Sequence, residues 1–499
     1  MCDEDEKISP KLHAQPQSKR PLCDLLYTSE VSSCLSYLIF VVLGGISCHV
    51  VLGPLAHNLR VSSEKLESIP VSENYVTSAY SLGIIIAVGV VMGYLAQLCR
   101  IPSLLGMLLT GIVLRNVTGS ILNVSVVKEW SVVLRRTSFI VILLRGGLSL
   151  DANAVRRLKG ACLRLSVIPC TVETIVVALA AKIIFGMDII FGIALGAVLA
   201  AVSPAVVIPA LLDATKNGYG VRAGVPSLVI AAASLDDVYA ITVFSLALSL
   251  VFPSGNSPLL TILGAPAEIL AGAFFGAVMG FVLHVVPRKT VQNVHLVRLA
   301  LLFAFSSAFL FGTIKLRVDG AGAIGVLVAA FVSGHKWKRE GELPEEEYLA
   351  IMWHHAFQPL LFGLIGLELS FDMISFRTML LGITVLAVGL AFRLIASFFA
   401  VLASGLTTRE RFFVAIAWMP KATVQAALAP VVLETAQARA SPHSYLQFGT
   451  FILTMAILSI LITAPLGALA IRLATPTLLK KDAACAQVVE EGEAEFEMS

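Results

Sequence analysis

Charge is what this chain has least of. Asp, Glu, Lys and Arg make up 14% of its 499 residues, hydrophobic residues make up 57%, and the mean hydropathy is +0.87. A soluble domain carries roughly 25% charged residues, so a water-soluble globular fold is excluded and the solvent of most of the chain is lipid. Segments that alternate polar and apolar residues are also lacking. That excludes a transmembrane β-barrel, the other architecture that satisfies every backbone group in hydrocarbon. The eight cysteines are scattered, several within apolar stretches, and have no paired metal spacing. They read as small core residues. The first 34 residues are polar, contain Pro10, Pro16 and Pro21, and open with the acidic run Asp3, Glu4, Asp5 and Glu6. A signal peptide or mitochondrial presequence would be basic at its start.

What is present is a succession of apolar stretches from Ser36 to Arg472. A hydrocarbon crossing needs about 20 helical residues, so the chain has room for about 14 spans. Those at 102–115 and 320–334 are short. The expected architecture is an all-α polytopic membrane protein: a cytoplasmic tail at 1–34, a transmembrane domain at 35–475, and a cytoplasmic acidic tail at 476–499. The last of these carries Glu490, Glu491, Glu493, Glu495 and Glu497. An even number of spans puts both termini on one side, and the excess of Lys and Arg in the segments of that side makes it the cytoplasm. The loop between the third and fourth spans then lies outside. It carries two sequons, Asn116-Val117-Thr118 and Asn123-Val124-Ser125, which make Asn116 and Asn123 candidates for glycosylation.

An ionisable group near the bilayer centre costs at least about 2.5 to 3.5 kcal/mol, so charges in mid-span are informative. Five stand out: Glu173, the adjacent Asp236 and Asp237, Arg393, and Lys421 after Pro420. Three acids against two bases leave one negative charge for a cation or proton to neutralise. Adjacent carboxylates in low dielectric repel and titrate as a unit. An exchanger needs a site of that kind, stable with either a cation or protons bound but not empty while crossing. The blander reading is an ion-pair network that only fixes helix packing. Small Ala231, Ala232, Ala233 and Ser234 just before the pair favour the exchanger.

Two spans are interrupted by proline. The sixth, 188–213, contains Ser203, Pro204 and Pro209; the thirteenth, 411–433, contains Pro420, Lys421 and Pro430. Each proline removes a helix hydrogen bond and exposes backbone groups that need another partner. Paired interruptions in two halves point to a transporter's midplane site. A displacement of seven spans inverts topology, so spans five to seven and twelve to fourteen read as inverted copies with two crossing broken helices. Glu173 then matches Arg393, and the two are expected to pair. Lys421 is expected to offset carbonyl dipoles at the crossing.

Other charged positions carry less. Arg145 and Glu368 near span ends read as interfacial or packing charges, and so do His354 and His355, whose side chains diverge by about 100° on a helix and do not share a metal. Gly320-Ala-Gly-Ala-Ile-Gly325 follows no strand and reads as helix packing rather than a dinucleotide loop.

Several segments together resemble the cation/proton antiporter superfamily, and in detail the animal sodium/hydrogen exchanger subfamily B, related to bacterial electrogenic sodium/proton antiporters. They are Arg145-Gly-Gly-Leu-Ser-Leu-Asp151, Gly196-Ala-Val-Leu-Ala-Ala-Val-Ser-Pro-Ala-Val-Val-Ile-Pro209, Ser234-Leu-Asp-Asp237, Phe357-Gln-Pro-Leu-Leu-Phe-Gly-Leu-Ile-Gly366 and Met419-Pro-Lys-Ala-Thr-Val-Gln-Ala-Ala427. The resemblance implies an inverted-repeat antiporter fold, a core domain moving against a dimerisation domain in an elevator-like cycle, and a homodimer. It implies Asp237 as chief carrier of cation and proton, Asp236 as its partner, Arg393 and Lys421 near the site, and Glu173 linked to them. Bacterial relatives often have Lys where Arg393 stands and an acid where Ser203 stands. Two protons per cation and an electroneutral cycle both stay open.

The function expected is therefore exchange of Na+ or Li+ for protons across a plasma or organelle membrane. The ions are cargo, with no resident cofactor and no nucleic-acid partner. A rival on the same fold is a proton-coupled chloride or anion transporter, with Arg393 and Lys421 holding the anion. An intramembrane aspartyl enzyme fits poorly. Its carboxylates must face each other about 3 Å apart, whereas adjacent residues of one helix diverge.

Overall fold

The computed structural model describes residues 71–99, 101–117, 124, 126–150, 159–253, 258–287, 293–316, 318–341, 343–369 and 376–481. The N-terminal tail, the first expected span at 36–56, Asn123 and residues 482–499 of the acidic tail lie outside the described residues. In chain order the helices are α1 (Val71–Leu98), α2 (Ser103–Asn116), α3 (Lys128–Ser149), α4 (Lys159–Phe185), α5 (Ile189–Ala200), α6 (Pro204–Lys216), α7 (Val225–Val251) and α8 (Pro258–Val282). They continue as α9 (Val294–Lys315), α10 (Asp319–Glu340), α11 (Pro344–Met352), a π turn (Trp353–Phe357), α12 (Gln358–Glu368), α13 (Phe376–Ala400), α14 (Thr408–Ala417), α15 (Thr423–Ala438) and α16 (His443–Leu478). Extended pairing among the described residues is limited to one bridge, Tyr219 to Lys481. Among the described residues eight helical segments are long and apolar enough to cross a membrane, and α2 is a shorter apolar helix.

Each of the two proline-interrupted spans is a pair of helices. α5 stops because Ala201 turns extended (φ −66°, ψ 135°), Ser203 is extended as well, and Pro204 can start a helix but cannot continue one. α14 opens on a capping box of Thr407 and Glu410 and ends at Trp418; Pro420 and Ala422 (φ −161°, ψ −73°) separate it from α15. The expected short span at 320–334 belongs to a longer helix, α10, of 22 residues, whereas α2 keeps the predicted shortness at 14.

Small residues set the helix spacing, as expected where lipid gives no hydrophobic drive between helices. A Cβ on Gly111 of α2 would strike the Gly363 carbonyl of α12, and one on Gly366 would strike Leu108 of α2. Gly272 and Gly276 of α8 press in the same way on Ala321 and Gly325 of α10. The glycine-rich stretch 320–325 thus lies in a helix and meets its neighbours by close packing.

One polar cluster was not singled out from the sequence. Arg135 of α3 lies 2.7 Å from Glu368 at the end of α12 and 2.9 Å from Glu434 of α15, and Arg136 lies 3.2 Å from the other oxygen of Glu434. Arg135 and Glu434 are 6% and 5% exposed. Glu368, expected as an interfacial or packing charge, is a half-exposed member of this cluster. Removing one partner of a buried pair leaves an uncompensated charge. Glu434→Gln is therefore expected to destabilise the protein by about 3 kcal/mol, read as a lowered melting temperature in detergent. An unchanged melting temperature would show that the cluster contributes nothing to stability.

Candidate functional site

The break after α5 leaves carbonyls with no helical donor, and the reasons are individual. Val202 N–H, which would serve the Val198 carbonyl, donates to Asp236 Oδ2 at 2.7 Å. Ser203 N–H, which would serve Leu199, donates to the Pro420 carbonyl at 2.8 Å. Pro204 has no N–H to offer Ala200. Side chains take over. Gln425 Nε2 donates to Val198 (3.0 Å) and Ala201 (2.8 Å), Lys421 Nζ to Leu199, and Arg393 Nη1 to Ala200. Two cations therefore stand at the negative end of the α5 dipole. The Ser203–Pro420 bond joins the two breaks directly.

Onto this crossing the neighbouring helices deliver their acids. Arg393 of α13 donates Nε to the Trp418 carbonyl (2.8 Å), Nη1 to Glu173 Oε2 of α4 (3.1 Å) and Nη2 to Asp236 Oδ2 of α7 (3.2 Å). Lys421 Nζ lies 2.8 Å from Glu173. Glu173, Asp236, Arg393 and Lys421 are all fully buried. The structure thus brings together four of the five mid-span charges as one ion-paired group, with Glu173 bridging both bases.

The fifth, Asp237, is placed differently. Successive residues of a helix point about 100° apart, so with Asp236 turned into the ion pairs Asp237 faces elsewhere. It lines a cavity of about 810 Å³. It makes no hydrogen bond or ion pair with any described residue, and its Oδ1 is buried without a partner, as are Asp236 Oδ1 and Ser203 Oγ. The cavity is bounded by helix ends that share one face of the bundle: Gln97 of α1, Ser149 of α3, Asn217 after α6, Glu346 of α11 and Arg472 of α16. Pro204 and Pro209 line it; Pro420 is buried, its ring against Gly467. Arg135 stands 14 residues from Ser149 along α3, about 21 Å away, so the Arg135–Glu434 cluster belongs to the opposite face.

Among the described residues no group of three or more His, Cys, Asp or Glu side chains is arranged to hold a resident metal. Of the two adjacent carboxylates, Asp237 borders the cavity and Asp236 is held by Arg393 and the Val202 N–H. Of the lesser candidates, Arg145 lies 5.7 Å over the Trp353 ring and His354 Nδ1 is 3.0 Å from Gln358 Oε1, both on the cavity wall. Asn116 donates its amide to the Ile112 and Leu369 carbonyls, at 2.9 and 2.8 Å. Gln425 is the site residue that sequence reasoning missed. Its signal was a lone amide one turn beyond Lys421 in an otherwise apolar span.

The model of the sodium/hydrogen exchanger transmembrane family matches residues 83–473. The sodium/hydrogen exchanger 9B2 of Xenopus tropicalis is 42% identical over 406 residues, covering 80% of this chain and 74% of that protein. The human 9B2 protein is 41% identical, covering 78% and 71%, and the 9B1 protein of Macaca fascicularis is 39% identical, covering 81% and 79%. Among solved structures, the sodium proton antiporter MjNhaP1 of Methanocaldococcus jannaschii at pH 8 superposes with a TM-score of 0.65 at 18% identity, over 81% of this chain and 99% of that one. This likeness concerns the fold.

The two aspartates should differ sharply in access. In a cysteine-free background, Asp237→Cys is expected to react with a small hydrophilic thiol reagent added to the cavity side, and Asp236→Cys at least about tenfold more slowly, in keeping with buried groups that open rarely. Equal labelling would place both side chains in the cavity and contradict this geometry.

Proposed function

Because the chain belongs to the sodium/hydrogen exchanger family, we propose that it exchanges Na+ or Li+ for protons by alternating access at Asp236 and Asp237. The observation that carries the reading is Asp237, a carboxylate at the wall of a cavity and without a partner, beside four paired charges. Glu173 and Asp236 balance Arg393 and Lys421, and Asp237 is left over. One Na+ or one proton neutralises it equally well. An empty Asp237 would have to cross as an uncompensated charge, which membrane burial opposes. Both loaded forms can cross and the empty one cannot, which is the condition for obligatory exchange. Arg393 stays charged at any working pH; with Lys421 and Asp236 keeping their charges in the ion pairs, one proton is exchanged per cation and the cycle is electroneutral.

The movement is elevator-like. α4–α7 and α13–α16 form the carrier around the crossed breaks and slide against the remaining helices. Two features support this: the cavity reaches Asp237 from one face, and the Arg135–Glu434–Glu368 cluster clasps α15 to α3 and α12 toward the other. With fourteen spans and both termini cytoplasmic, the cavity face is the cytoplasmic one, and Asn116 and Asn123 are external glycosylation candidates. The protein acts as a homodimer in the plasma membrane or an organelle membrane, with no cofactor beyond its transported ions. The anion reading is disfavoured by one particular: the donors of Arg393 and Lys421 are already occupied by carboxylates and carbonyls.

In proteoliposomes, Na+ or Li+ but not choline is expected to drive proton efflux. Asp237→Asn should abolish it, and an imposed potential should leave its rate unchanged. Flux that follows chloride, or that survives the substitution, would overturn the reading.

A further inference from the structure

Gln425 sits at the N-terminal end of α15, fully buried, and reaches across the break to α5. Its amide has two donors, and both are used on carbonyls at the α5 break: Val198 at 3.0 Å and Ala201 at 2.8 Å, with Leu199 at 3.5 Å. The first of these bonds is a substitution. In an uninterrupted helix the Val198 carbonyl would take the N–H of Val202. Here that N–H is turned to Asp236 Oδ2 at 2.7 Å, and Gln425 stands in for it. Gln425 is also the sole uncharged side chain among the described residues donating to the α5 end; the other two donors, Arg393 and Lys421, are the cations that offset Glu173 and Asp236.

We propose that Gln425 is a positioning residue for exchange: by occupying the α5 carbonyls it directs the Val202 N–H onto Asp236 and keeps Arg393 and Lys421 on the carboxylates. This rests on the antiport reading of the same site. Without the amide, two buried carbonyls lose their donors. Val202 N–H is drawn back to Val198, and the two cations are drawn toward Ala201. Asp236 then loses a hydrogen bond that favours its charged form. The balance between cation and proton at the Asp pair changes, although Gln425 touches neither aspartate. A residue that merely fills space would lower the amount of folded protein and leave that balance alone.

The test compares Gln425→Leu, of similar volume without donors, Gln425→Glu, which puts an acceptor against carbonyls, and Gln425→Asn, which keeps a shorter amide. In proteoliposomes, Leu and Glu variants are expected to raise the apparent KM for Na+ about tenfold, the effect of one orphaned buried hydrogen bond, and to displace the pH–rate profile. The Asn variant should lie between them and the native protein. If Leu and Glu variants do not fold, Asn alone decides, by the same two readouts. A folded Leu variant with native KM and pH profile, altered only in amount or maximal rate, would overturn the proposal, as would an Asn variant indistinguishable from a folded Leu variant. Hydrogen exchange of the segment 198–205, expected to quicken about tenfold in the Leu variant, needs no transport. A native protein without Na+-driven proton flux would therefore sink the antiport reading, while unchanged exchange in that segment would sink the role of Gln425.

Discussion

A guanidinium held where water does not reach organises this protein. Arg393 cannot shed its charge, and moving it into the bundle interior costs several kcal/mol unless its donors are met. They are met from four segments: Glu173 of α4, the broken end of α5, Asp236 of α7 and the Trp418 carbonyl before the second break. Each partner is itself a group that lipid would not tolerate alone. The acids need a base, and the carbonyls need donors because proline took theirs away. The breaks and the charges are one solution, since the backbone freed by Pro204 and Pro420 gives the cations polar contacts that an intact helix would withhold.

That arrangement also decides what remains. Lys421 binds Glu173 and the Leu199 carbonyl, Gln425 fills the carbonyls on either side, and Asp236 is held by Arg393 and Val202. The group is electrically closed except for Asp237, one residue along α7 and turned to the cavity. Every other charge of the group is matched within it, and Asp237 alone of the five lines the cavity.

Much of this was legible in the chain because membranes make polar residues conspicuous. Glu173, Asp236, Asp237, Arg393 and Lys421 stood out against apolar surroundings, and the matching interruptions at Pro204 and Pro420 suggested a crossing that the Ser203–Pro420 hydrogen bond realises. The sequence also suggested that Glu173 and Arg393 meet, and they lie 3.1 Å apart. Gln425 escaped notice because an uncharged amide in a span is inexpensive enough to pass as a packing residue. Its importance depends on where α5 ends, which is a matter of three dimensions. Arg135, Arg136 and Glu434 escaped because their partners lie on other helices, and only packing brings α3, α12 and α15 together around them. The distribution of duties between neighbours Asp236 and Asp237 came from the resemblance. Side-chain direction along α7 puts Asp236 among the ion pairs and Asp237 on the cavity wall.

The central claim is that a single carboxylate carries either ion. Protons released as Na+ binds to the purified protein in weakly buffered detergent solution test it most directly, because binding then stands apart from movement. The account predicts release close to one proton per bound Na+, undiminished by Glu434→Gln and absent in Asp237→Asn. Release close to two, or release that persists without Asp237, would contradict it.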